Sequence, residues 1–165
     1  MNPPTSESTY WRARRLANVS LWAIELQCRR LRSTEPEDDT FVFRKWADFD
    51  FLIVALTRLR RAAKLAAKLP EIQSELVPAI KDFDSGLPHL KKMRDVAEHI
   101  DDYAVDKGRE TSVQRYGLEV SSLYDDEEGI ALEWLGHALN SDMALTKSRN
   151  LFAVIQKASV AFETP

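Results

Sequence analysis

FDFLIVALTRLRRAAKLA, Phe49–Ala66, is the stretch that decides the fold. Phe49, Ile53, Leu56, Leu59, Ala63 and Ala66 recur at steps of three and four, the spacing that lines up one face of an α-helix. The run continues until the chain approaches Pro70, which a helix interior does not accommodate. A long helix with one apolar stripe must bury that stripe against other helices, so the fold class is mainly α, an antiparallel helical bundle.

Upstream, Leu16, Val19, Ala23 and Leu26 repeat at the same steps and predict a first helix over about residues 8–32. Residues 1–8 hold two prolines and few apolar groups, and read as a flexible tail rather than a signal peptide. Residues 9–165 then form a single helical domain. Ser33–Thr40 is polar with a proline, and reads as a loop.

Downstream, a third helix is expected over Glu71–Phe83, with a kink or break at Pro78, and Asp84-Ser85-Gly86 as a turn. Pro88 suits the first turn of a fourth helix, which would run to about Ala104, with Gly108 in its stop region. The period then changes. Leu118, Val120 and Tyr124 alternate, as do Ile130, Leu132 and Trp134, around the acidic turn Asp125–Gly129, so one β-hairpin is expected near residues 118–135. Asn140 or Ser141 would cap a last helix with Ala144, Leu151, Ile155, Ala158 and Phe162 on its buried face.

Composition narrows the function. A net charge of −3 argues against binding nucleic acid by bulk positive charge, though not against a local basic patch. A single cysteine, Cys28, can form no intramolecular disulfide and no cysteine zinc site, as expected for a cytoplasmic protein. No apolar run reaches the roughly 20 residues of a membrane span, so no membrane is expected as a partner. His89 and His137 have no neighbour at metal-ligand spacing, and the acidic turn lacks the alternation of a calcium loop. Neither a metal nor a cofactor is expected.

The fourth helix carries the one run with chemistry in it, Arg94-Asp95-Val96-Ala97-Glu98-His99. Leu90, Met93, Val96, Ala97, Ile100 and Ala104 would face the core. Asp95, His99 and Tyr103, spaced by four, would stack along one edge. On a continuous helix Arg94 lies about 140° around from His99, so two copies across a two-fold axis would be needed to bring the pair together. A histidine can exchange a proton with a ribose hydroxyl near neutral pH, and an arginine can hold a phosphate as its charge builds. The basic stripe Arg58, Arg61 and Lys64 on the second helix is a candidate track for the RNA backbone.

This run resembles the motif of the HEPN superfamily (higher eukaryotes and prokaryotes nucleotide-binding), in which Arg and a following Asn, Asp or His precede a catalytic His. A chain of this composition holds such a match by chance about 0.1 times. The resemblance implies a HEPN-like bundle, with Arg94 and His99 as the catalytic pair, Asp95 at the polar position and Tyr103 as a further candidate. It implies a metal-independent endoribonuclease acting as a homodimer, of toxin–antitoxin or phage-defence type, with an antitoxin or other protein partner. The alternative within the resemblance is a catalytically inactive helical adaptor that binds a protein or nucleotide. On that reading Arg94 and Glu98 form a simple surface ion pair and His99 bonds to Asp95.

Overall fold

A computed structural model describes residues 3–36, 43–126 and 129–162. It is mainly helical, with six α-helices and a small antiparallel sheet among the described residues. Helix α1 spans Ser6–Arg32 and begins inside the stretch expected to be a tail. The reason is a cap: the Thr5 hydroxyl accepts the Ser8 amide hydrogen bond at 3.1 Å.

Helix α2, Phe43–Ala66, starts six residues before the quoted stretch and packs along α1 more extensively than on any other element. Phe49, Leu52, Ile53, Leu56, Leu59, Ala63 and Ala66 are all buried, so the deciding periodicity holds. Where the α1–α2 pair joins, Asp48 is buried between two arginines. Arg30 Nε donates to it at 2.7 Å and Arg44 at 3.0 Å, while Arg44 also donates to the carbonyls of Arg30 and Ser33.

Helix α1 turns its other face inward. Ala13, Ala17, Leu21, Ile24, Cys28 and Leu31 are buried, whereas Leu16, Val19 and Leu26 are exposed. Both sets follow helical spacing, so periodicity alone could not choose between them.

Helix α3 spans Gln73–Gly86 and passes through Pro78 unbroken. It also absorbs the expected turn Asp84-Ser85-Gly86. A Cβ at Gly86 would meet only the flexible Lys147 side chain, whose ammonium reaches Asp82 at 2.8 Å. Pro88 falls in the turn that follows rather than in a helix, and α4 covers Leu90–Glu98. The expected continuous helix to Ala104 stops at His99, with α5 resuming over Ile100–Ala104.

The hairpin gains a strand. β1 (Ser121–Asp126) pairs antiparallel with β2 (Gly129–Trp134), and β2 with β3 (His137–Asn140). Register aligns Leu123 with Leu132 and Leu132 with Leu139. Leu135 and Gly136, both at positive φ (+56° and +73°), make the two-residue turn whose twist suits a hairpin. Asp125 and Asp126 belong to β1; Glu127 and Glu128 of the expected acidic turn lie outside the described residues. Asn140 then caps α6, Ser141–Lys157, accepting from the amides of Asp142 and Met143 as the sequence predicts.

Helix α6 runs antiparallel to α1. Cys28 lies against the Ser141 carbonyl at one end, and Tyr10 donates to the Ile155 carbonyl at 2.8 Å at the other. Tyr10 also stacks on Phe162, centroids 4.6 Å apart. Among the described residues no helix is long and apolar enough to cross a membrane.

Candidate functional site

Leu90, Met93 and Val96 bury the inner face of α4 and thereby turn Arg94 and Asp95 outward. His99 breaks the helix, with φ −127° and ψ 33°. Asp101 and Asp102 follow it in the first turn of α5, where the helix dipole favours negative charge. After the break the register rotates. Ile100 and Ala104, expected in the core, are exposed, and Tyr103 is buried in their place.

That rotation changes the site geometry. Arg94, Asp95, His99 and Tyr103 all line a single open pocket of 640 Å³. Arg94 and His99 thus line the same pocket of one chain. Lys91, Lys92 and Arg109 add cations to its lining, against the carboxylates of Asp95, Asp102 and Glu110.

The guanidinium of Arg94 is held from two sides. It reaches Asp95 Oδ1 at 2.7 Å and donates to Glu98 Oε2 at 2.6 Å, while its Nε is buried with no acceptor among the described residues. The Arg94 hydrogen bond holds the Glu98 carboxyl below its ordinary range. The surface ion pair of the adaptor reading is thus present. The His99–Asp95 hydrogen bond of that reading is not: the His99 ring is exposed, with no side-chain hydrogen bond among the described residues.

Tyr103 is a wall of the pocket. Its hydroxyl accepts the Glu110 amide hydrogen bond at 3.2 Å, and Gly108 lies against its ring so closely that a Cβ there would sit 2.1 Å away. Buried Tyr103 thus ties Gly108 and Glu110 to the pocket lining.

Arg61 lines an adjoining pocket of 250 Å³ together with Lys91 and Arg94, and its charge also acts on Glu98. Arg58 and Lys64 are exposed on the same side of α2, three residues to either side of Arg61, but line neither pocket. Neighbouring Arg60 grips Asp84 of α3 with two 2.5 Å hydrogen bonds, which braces this wall.

Two features escaped the sequence. Lys91 and Lys92 join the site because they precede the motif on the same helix, and a basic pair beside Arg94 was the available signal. His89 and His137, 48 positions apart in sequence, stack face to face with centroids 3.6 Å apart, beside Lys92. No local spacing announces that contact. Cys28 is no nucleophile: burial pushes its thiol up to about 11. Among the described residues no group of three or more His, Cys, Asp or Glu could hold a metal ion.

Compared with protein-family models, with curated proteins and with solved structures, the chain finds no match in any of the three.

Proposed function

We propose that the chain is a HEPN-like, metal-independent endoribonuclease whose site lies at the interface of a homodimer, a toxin or defence-type effector controlled by a protein partner. The observation that carries this reading is the pocket itself: Arg94, Asp95 and His99 share one open lining with Lys91, Lys92 and Arg109. The exposed imidazole of His99 removes the proton of a ribose 2′-hydroxyl, whose oxygen attacks the adjacent phosphorus. The bond to the 5′-oxygen breaks and that oxygen takes up a proton, leaving a 2′,3′-cyclic phosphate and a 5′-hydroxyl end. The nucleophile belongs to the substrate and is already adjacent, so the protein's tasks are proton transfer and charge stabilisation. Arg94 and the lysines supply the positive charge, Asp95 orients Arg94, and Tyr103 holds the pocket wall. Arg58, Arg61 and Lys64 lead the RNA backbone toward it along α2.

The test is the chemistry of the product. Incubation with an RNA oligonucleotide in excess EDTA yields 2′,3′-cyclic phosphate ends, and a 2′-deoxy residue at the cleaved position blocks the reaction. Intact RNA, or equal cleavage of the deoxy substrate, overturns the proposal.

The adaptor reading draws on one observation, the engagement of Arg94 by Asp95 and Glu98. On it the same pocket binds a nucleotide or peptide without turnover.

A further inference from the structure

We infer that the outer face of α1 is a docking surface for an acidic amphipathic helix of another protein. The face shares no residue with the α4 pocket. Leu16, Val19, Trp22 and Leu26 are 51%, 57%, 63% and 46% exposed, at the three- and four-residue spacing of one helical stripe. Scattered apolar residues on a surface are ordinary, but a periodic row containing a tryptophan has the i, i+3, i+4 pattern by which one helix face packs on another.

The ends of the stripe decide what fits it. Arg12 and Arg15 stand before it and Arg29 after it, all exposed and none in an ion pair among the described residues. The helix's own acids do not neutralise them. Glu7 accepts from the Trp11 indole, and Glu25 is bound by Arg149 at 2.9 Å. The surface is therefore an apolar centre between two cationic ends.

A second copy of this chain is a poor occupant. Antiparallel pairing of two α1 helices sets Arg15 against Arg29, and parallel pairing sets each arginine against itself. A lipid surface is also poorly matched. Helices that lie in a membrane interface carry cations along the sides of the stripe, whereas here they sit at its ends. An acidic helix satisfies both parts. Arg15 and Arg29 are 14 positions apart in sequence, roughly 21 Å along the axis. The partner helix presents apolar residues at i, i+3, i+4 and i+7, with Asp or Glu about that far apart on either side.

The test uses the whole protein and two synthetic helical peptides of roughly 18 residues. Both carry leucines on one face; one is flanked by glutamates, the other by lysines. Calorimetry is expected to show one-to-one binding of the glutamate peptide and binding of the lysine peptide weaker by about tenfold or more. Trp22→Ala removes an exposed side chain, so its melting curve stays that of the parent while affinity for the glutamate peptide drops about tenfold or more. The double variant Arg15→Glu, Arg29→Glu reverses the preference. Failure of the glutamate peptide to bind, or equal binding of both peptides, overturns the proposal. So does self-association of the protein that Trp22→Ala abolishes, or binding to phosphatidylglycerol vesicles that Trp22→Ala abolishes.

Discussion

Arg94 donates to Glu98 one helical turn away at 2.6 Å, and the same guanidinium reaches Asp95 at 2.7 Å. Catalysis needs that charge for a phosphate, so Glu98 competes with the substrate while Asp95 orients the guanidinium. Glu98→Gln removes that competitor. The pair lies at the surface, so the substitution changes unfolding free energy by no more than about 0.5 kcal/mol. Filter-binding with single-stranded RNA should show affinity improved about threefold, equivalent to ~0.6 kcal/mol. Unchanged affinity would mean that Arg94 does not meet RNA.

Gly108 and the ring of Tyr103 touch where a side chain would have to stand. Gly108→Ala forces the ring or residues 105–110 to move, and urea unfolding should record a loss of about 1–3 kcal/mol. Tyr103→Phe keeps the ring and removes only the acceptor for the Glu110 amide, for a loss of about 1 kcal/mol. If Tyr103 is the wall and takes no part in proton transfer, the Phe variant retains cleavage.

Asp48 is 3% exposed in its side chain and holds Arg30 and Arg44 together at the α1–α2 junction. Asp48→Ala removes the carboxylate that Arg30 and Arg44 share. Arg30 is half in solvent, which places the expected loss at about 3 kcal/mol, the lower part of the range for broken buried pairs. Thermal denaturation measures it.

His137 has its pKa lowered below the ordinary 6.5, by burial first and then by His89 and Lys92 beside it. The unfolded chain therefore takes up this proton before the folded one does. Its contribution to stability is full above about 6.5 and is lost as pH falls from there toward the folded value. Melting temperature should drop between pH 7.5 and 5.5, and His137→Gln should flatten that drop. An identical profile in the variant would remove His137 as its source.

The bundle was legible because the apolar stripe read along Phe49–Ala66 of α2 is the face that the fold buries. α1 has two such stripes, and the buried one, Tyr10, Ala13, Ala17, Leu21, Ile24, Cys28 and Leu31, is offset from the exposed row Leu16, Val19, Trp22 and Leu26. β3 was hidden by its length. His137–Asn140 contains one buried leucine and ends on the residue that caps α6, so no alternation could develop. At the site, the residues Arg94, Asp95 and His99 were readable but their geometry was not. The break at His99 follows from no proline or glycine, and the pocket that Arg94, Asp95 and His99 line draws on residues 102–110 as well.

The central claim, that His99 and Arg94 carry out RNA cleavage, is tested most directly by purified His99→Ala and Arg94→Ala proteins assayed on RNA in EDTA. His99 is exposed, and Arg94 pairs only with Asp95 and Glu98 of its own helix among the described residues, so both variants should fold with the circular dichroism of the parent. The account predicts parental cleavage that falls by about 100-fold or more in each variant. Cleavage at the parental rate in either folded variant would contradict it.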